Sequence, residues 1–286
     1  KDGDWPAICA LSEKQGDARA FFETFFRPVL LTDEEDPLFT GYYEPELPGS
    51  LTETSRFNVP LYRRPEDAPN GPWLTREQLD ESGVLRDRGL EIAFLEHEVD
   101  KFFLQVQGSG RITLPDGTGI RVGYGGKNGH KYRSVGKELI RRGIFEDHQV
   151  SARVIRNWVT DNPDEGRQLL YHNPSYVFFR EVTRLAADEG PLGAMNRPLT
   201  AGRSLAVDPE SVPLGAPVWL EKDGADPIRR LMVAQDTGSA VKGAQRADIF
   251  YGSGDEAGRL AGKIRDTGRI VVLLPIDAAL ALVDQG

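Results

Sequence analysis

The sequence predicts a mainly β protein with several helices. Three observations carry that expectation. Segments rich in Val, Ile, Thr, Tyr and Phe recur between clusters of Gly, Pro and Asp. Glycine (31) and proline (19) are plentiful enough to supply the turns between them. Three helix-patterned segments then interrupt the strands near the middle of the chain. At 286 residues, 39% of them hydrophobic, there is material for one large domain or two ordinary ones with a real core.

Residues 12–27 read as an amphipathic helix, with Ser12 in capping position and Phe21, Phe22, Phe25 and Phe26 along one side as core. The acidic run Asp33-Glu34-Glu35-Asp36 reads as a solvated loop. Strands are expected over 38–43, 59–62, 90–95, 101–106, 111–114 and 120–124, with Pro115-Asp116-Gly117 as a tight turn, in the manner of a barrel or sandwich. Helices are expected over 134–142, closed by Gly143, and over 151–160 and 163–171. The small-residue stretch 186–198 has the composition of a linker or long loop, and a domain boundary is placed near 183. Beyond it, strands over 204–207, 217–220, 230–235, 248–251 and 269–274 and a helix over 255–264 suggest a small closed barrel.

Charge and composition exclude several functions. A net charge of −9, with the 35 basic residues spread along the chain, argues against a surface that tracks nucleic-acid phosphates. No apolar stretch reaches the roughly 20 residues of a membrane span, and residues 1–10 lack the regions of a signal peptide, so the chain as given is expected to be soluble. The single cysteine, Cys9, excludes an internal disulfide and reads as structural or incidental. The four histidines show no paired-ligand spacing, which leaves a zinc site without support. Phosphate-binding and nucleophile-elbow motifs are missing too, so carboxylates remain as the natural catalysts.

The densest cluster of uncommon residues is 234–252, where Asp236 and Asp248 lie at strand edges among Gly238, Gly243 and Gly252, with Lys242 placing a positive charge between the acids. Two readings stand side by side. The aspartates cap turns around the glycines, or one of them is a proton donor for glycosidic cleavage whose pKa its neighbour helps to raise. A second cluster, 105–111 and 123–133, combines amides, hydroxyls, aromatics and bases suited to sugar hydroxyls and ring faces. Exposed hairpin turns explain it equally well, and Tyr42 and Tyr43 carry the same ambiguity.

Taken together, Gly41-Tyr42-Tyr43-Glu44-Pro45, Gln107-Gly108-Ser109-Gly110, Gly126-Lys127-Asn128-Gly129-His130, Asn173-Pro174-Ser175-Tyr176-Val177-Phe178-Phe179 and the block 236–252 resemble the membrane-bound lytic transglycosylase A family of peptidoglycan-cleaving enzymes. The C-terminal part also resembles the three-aspartate domain of cell-wall proteins, with Asp208, Asp236 and Asp248 as the three. The resemblance implies a double-psi β-barrel built from 1–44 and 183–286, with a second β-rich domain, 45–182, inserted and forming the other wall of a glycan groove. It implies cleavage between N-acetylmuramic acid and N-acetylglucosamine without water, leaving a 1,6-anhydro ring, with no cofactor or metal. Asp248 takes the catalytic position, acting as acid and then as base; Arg246-Ala247 precedes it where the family's approach is shorter and contains an aromatic residue. Asp236 is expected to assist Asp248, and Asp208 to serve structure first. Tyr42, Tyr43, Gln107, Gly108, Ser109, Asn128, His130, Arg133, Lys242 and, beside its structural role, Asp208 are candidate substrate contacts. A monomer in the periplasm or cell envelope, with a lipid anchor to the outer membrane outside this sequence, completes the expectation. The rival readings are an inverting glycoside hydrolase using Asp248 and Asp236, and a module that binds peptidoglycan without cutting it.

Overall fold

A computed structural model describes residues 5–13 and 16–283. Along the chain come helices α1 (Trp5–Ser12) and α2 (Ala18–Phe25) and strands β1 (Phe26–Val29), β2 (Leu38–Glu44), β3 (Glu46–Ser50) and β4 (Val59–Tyr62). Helix α3 (Arg76–Glu81), β5 (Glu91–Leu95), α4 (Glu98–Gln107), β6 (Gly110–Thr113) and β7 (Gly119–Lys127) follow. Next are α5 (Val135–Arg141), α6 (Ala152–Asp161), α7 (Pro163–Tyr171) and β8 (Val177–Glu181). The chain ends with β9 (Ser204–Val207), β10 (Pro217–Lys222), β11 (Ile228–Thr237), β12 (Arg246–Ser253), α8 (Gly254–Ala261), β13 (Arg265–Asp266), β14 (Gly268–Pro275) and α9 (Ile276–Val283). It is mostly sheet with some helices. No helix among the described residues is long and apolar enough to cross a membrane.

The chain forms two compact units. The first comprises residues 1–41, 193–250 and 264–286, and the second residues 42–192 and 251–263. Position 183 therefore lies inside the second unit, and residues 251–263 return to it.

In the first unit the sheet order is β1-β14-β10-β11-β9-β12-β2-β13. β1 with β14, β14 with β10, β10 with β11, β9 with β12 and β2 with β13 pair antiparallel, and β9 with β11 pairs parallel. That parallel pair brings the ends of β9 and β11 out on the same edge. Among the described residues the order runs from β1 to β13 without a pairing that joins its two ends. All four residues of β9 are buried, as a strand covered on both faces requires. The aromatic stripe does form core: Phe21 and Phe26 are buried with Ile8, against Trp5, Phe22, Phe25 and Leu273.

The second unit holds a six-stranded sheet, β4-β5-β3-β6-β7-β8, and a parallel bridge between Arg63 and Phe179 ties residues at its two ends. Leu61, Leu95, Leu104, Ile112, Val122 and Phe179 make its apolar centre. Helices α4 to α7 pack through Phe102, Val135, Leu139, Ile155, Leu169 and Leu170.

Three expectations need correction. The helix expected over 12–27 is broken: Ser12 ends α1, Lys14 and Gln15 lie outside the described residues, and Asp17 caps a second helix by accepting from the amides of Arg19 and Ala20. Phe26 has already turned into β1. The strand expected over 101–106 is helical within α4, where Glu98 and Asp100 favour the first turn and Gly108, at φ +81°, supplies the left-handed C-cap. Asp33 is more than a solvated acid, since its carboxylate accepts from the amide of Ala244.

Glu138 on α5 is a buried carboxylate held by Arg141 at 2.7 Å and Arg142 at 2.8 Å, with His172 at 3.8 Å. Hydrogen bonds from Arg141 and then Arg142 outweigh its burial and hold its pKa down to about 2. A carboxyl depressed in the folded state stabilises fully above its unfolded value, about 4.3, and loses that contribution as pH falls. Glu138→Gln should lower Tm at pH 7 by about 2–4 °C. In thermal melts from pH 5 down to 2, the gap to the unsubstituted protein should close.

Candidate active site

Asp248 is the third residue of β12, flanked by the buried Ala247 and Ile249. The alternation of the strand turns the carboxylate away from that apolar side, and its side chain is 21% exposed. Its Oδ1 accepts from Arg246 Nη1 at 2.6 Å and from the hydroxyl of Thr40 on β2. Arg246 Nη2 donates in turn to Thr40 Oγ1 at 2.8 Å. The same guanidinium donates through Nη1 to the carbonyls of Ala247 at 2.7 Å and Leu38 at 3.4 Å, which ties it to the backbone of both strands. Arg246 and Thr40 are functional candidates that the sequence reading had not singled out as such. The signal was available for Arg246, two residues before the acid on the same strand face, but not for Thr40, 208 positions away in the chain.

Ala206 on β9 is the register partner of both Asp248 and Asp236. The two acids therefore stand on either side of one strand, with Cα atoms about 10 Å apart at two strand spacings. Asp236 is engaged: Oδ1 accepts from the amides of Ala194 and Thr237, both at 2.9 Å, and holds the loop that begins at Gly193.

Asp208 follows β9 and is 4% exposed. Its Oδ2 accepts from the Gly243 amide at 3.0 Å, and its Oδ1 from Lys242 Nζ at 3.0 Å and the Glu210 amide at 3.3 Å. Burial pushes its pKa up, but the Gly243 amide, the Lys242 ammonium and the Glu210 amide together outweigh it and hold the carboxyl below the usual range. Lys242, expected to place a charge between Asp236 and Asp248, pairs with Asp208 and lies 3.9 Å from Glu210.

The remaining candidates lie in the second unit. The amide of Tyr43 donates to Gln107 Oε1 at 3.1 Å, so this pair is brought together, and the ring of Tyr43 lies against Gly258 of α8. Gly108 and Ser109 continue the chain from Gln107 at partial exposure. Asn128 is 1% exposed and fully occupied: Nδ2 donates to the carbonyls of Leu74 and Pro174, and Oδ1 accepts from the amides of Tyr176 and His130. It organises the turn that carries His130, whose Nε2 meets the Trp73 carbonyl at 2.7 Å. Gly129 between them is required, because at φ +82° a Cβ would stand 2.5 Å from the Gly71 carbonyl oxygen. Arg133 is exposed, its amide bound to Asn173 Oδ1 at 3.1 Å. Tyr42 is half-buried on β2. Cys9 is exposed, and no group of His, Cys, Asp and Glu among the described residues is arranged to hold a metal ion.

Residues 38–180 match the MltA specific insert domain, and residues 203–274 match the 3D domain. The membrane-bound lytic murein transglycosylase A of Escherichia coli K12 is 38% identical over 245 residues, covering 82% of this chain and 65% of that protein. A solved membrane-bound lytic murein transglycosylase from Agrobacterium tumefaciens superimposes with a TM-score of 0.86 at 38% identity, over 96% of this chain and 85% of that one. This chain belongs to the membrane-bound lytic murein transglycosylase A family. Another member, the Escherichia coli enzyme solved with bound chitohexaose, matches with a TM-score of 0.79 at 34% identity over 95% of this chain and 82% of that one. The chain spans 65% of the length of the curated Escherichia coli family member.

The clamp at Asp208 yields a prediction. Asp208→Ala leaves the Gly243 amide without its acceptor and should destabilise the first unit by about 1–3 kcal/mol. Denaturant unfolding would measure it, and the deficit should shrink as pH falls below about 3.9, where the native carboxylate gives up its advantage.

Proposed function

We propose that this chain cleaves peptidoglycan glycan strands between N-acetylmuramic acid and N-acetylglucosamine without water, with Asp248 as the single acid and then base. The observation that carries the reading is the setting of Asp248: one partly exposed carboxyl, anchored through a single oxygen by Arg246 and Thr40. Its other oxygen, Oδ2, makes no hydrogen bond to the described residues and is available for proton transfer. Support for the substrate comes from the relatives, which are named for murein and one of which holds a chitohexaose.

The chemistry needs no second catalytic carboxylate. Asp248 protonates the bridging oxygen as the bond to muramyl C1 breaks, and the electron pair of that bond stays with the leaving sugar as its hydroxyl. The muramyl C6 hydroxyl then attacks C1 and gives its proton to the carboxylate, which restores the acid and closes the 1,6-anhydro ring. Because the nucleophile belongs to the substrate, it acts with the advantage of proximity that a free water lacks. Asp236 spends Oδ1 on the loop at Ala194, which suits a supporting part better than that of the base in an inverting pair.

In this reading Tyr42, Tyr43, Gln107, Gly108, Ser109, His130 and Arg133 contact the glycan, whereas Asn128, Asp208 and Lys242 shape the loops that present the machinery. The first unit is read as a double-psi barrel, a reading supported by the parallel pairing of β9 with β11 in a sheet whose neighbouring β10–β11 and β9–β12 pairs are antiparallel. The enzyme acts as a monomer in the cell envelope, in keeping with relatives named as membrane-bound.

Mass spectrometry of products from purified peptidoglycan tests this directly. Anhydromuropeptides are expected, each lighter by one water than the hydrolytic product. Asp248→Asn should keep the fold and lose turnover by about 10²- to 10⁴-fold or more. Reducing muropeptides would mean a hydrolase instead, and glycan binding without any release would mean a non-catalytic module.

A further inference from the structure

We propose that Thr40 and Arg246 fix Oδ1 of Asp248 as a standing hydrogen-bond acceptor, so that the proton exchanged with the glycan resides on Oδ2. The inference rests on the functional reading above and adds two positioning residues and the identity of the reacting oxygen.

The argument is an inventory of donors and acceptors. A guanidinium has only donors, so Arg246 Nη1, 2.6 Å from Oδ1, must donate to it. Arg246 Nη2, 2.8 Å from Thr40 Oγ1, likewise donates, which fills an acceptor site of that hydroxyl and leaves its one proton to be directed elsewhere. Asp248 Oδ1 is the acceptor within reach of it. A proton carried on Oδ1 would face two donors at once, one charged. Protonation of Oδ2 keeps both bonds and places the acidic hydrogen on the oxygen that the described residues leave without a donor.

The arrangement is built to stay in place. Arg246 is 14% exposed at its side chain and is tied to the Ala247 and Leu38 carbonyls, and Thr40 is held on β2 by the pairing of that strand with β13. Neither group changes its hydrogen-bonding role when Oδ2 gives up its proton to the bridging oxygen, with the C1–O electron pair leaving on that oxygen, nor when Oδ2 takes the proton of the C6 hydroxyl as the new C1–O bond forms. The carboxyl thus passes from acid to base and back through one atom without rotating, as a residue that serves twice in one turnover requires.

Steady-state kinetics on soluble peptidoglycan strands, with Tm measured on each variant, provide the test. Thr40→Val keeps the shape and deletes the hydroxyl; kcat should fall about 10- to 100-fold with KM within about twofold, and Thr40→Ser should restore most of the rate. Arg246→Ala should lose a similar factor in kcat and regain part of it when guanidinium is added at millimolar levels, too dilute to denature. Wild-type kcat in both Thr40→Val and Arg246→Ala, with Asp248→Asn inactive, would overturn the inference and leave the function standing. Loss of rate that tracks loss of Tm, with no recovery by serine or guanidinium, would equally overturn it by reducing both residues to fold support. An active Asp248→Asn would instead overturn the functional reading, and this inference with it.

Discussion

The geometry around Asp248 depends on one side chain, the amide of Gln245. It is 6% exposed and lies just before β12, and both of its ends are engaged. Nε2 donates to the carbonyls of Leu31 at 2.5 Å and Ile270 at 3.1 Å, and Oε1 accepts from the Ile270 amide at 2.9 Å. Its backbone carbonyl takes the Leu38 amide at 3.2 Å as β2 begins. One residue thus joins the start of β12, the middle of β14 and the chain leading into β2. A buried amide with this many partners specifies one register, because any slip leaves several polar groups unpaired at about 1–3 kcal/mol each. Arg246 and Asp248, one and three residues later, and Thr40, two after Leu38, inherit their mutual placement from it.

The loop before Gln245 is fastened in the same manner. Asp208 takes Lys242 and the Gly243 amide, and Asp33 takes the Ala244 amide. Three successive residues of a glycine-containing turn are thus bound by two acids from distant parts of the chain. Gly243, at φ +107°, lets the backbone pass close to the Asp33 carboxylate, where a Cβ would stand 2.9 Å from Oδ2. The acids around this site thus fall into two kinds. Asp33, Asp208 and Asp236 hold loops through backbone amides, and Asp248 binds side-chain donors on one oxygen only. That contrast separates Asp248 from its neighbours more sharply than their similar sequence settings do.

How far this was legible in the sequence depends on the range of the forces involved. Local patterns announced α5, α6 and α7, whose caps Ser134 and Ser151 and N-terminal Pro163 lie within a few residues of the helices they start. The short apolar segments of β4, β9, β10 and β14, set between turn residues, were equally plain. The reading failed at 101–106, where Phe102, Phe103 and Val106 are strand formers by type, and where Lys101 and Gln105 are buried in the helix by Asp80 and the Val177 carbonyl rather than by hydrophobicity. It failed at 12–27 because continuous apolar spacing outweighed a cap, Asp17, in its middle. Asp208, Asp236 and Asp248 were visible as a set through family resemblance, but which of them is engaged by amides depends on partners 35 to 42 positions away, as with Gly243 and Ala194.

Thr40 shows the limit most clearly. Nothing in Phe39-Thr40-Gly41 marks a threonine that serves a carboxylate, since threonine on a strand is ordinary by propensity. Its function is created by the pairing of β2 beside β12, which sets its hydroxyl against Asp248 and Arg246 across 208 and 206 residues of chain. Residues 42–192 of the intervening chain belong to the second unit, whereas 193–250 return to the first and bring Arg246 into the contact. Pairing strands this remote in sequence is costly in chain entropy, and what offsets the cost is the buried network at Gln245 together with the apolar strands β9, β10 and β14 behind it. The topology of the sheet therefore supplies donors to Oδ1 of Asp248 from two strands at once, and in the proposed mechanism this is what leaves Oδ2 to the substrate.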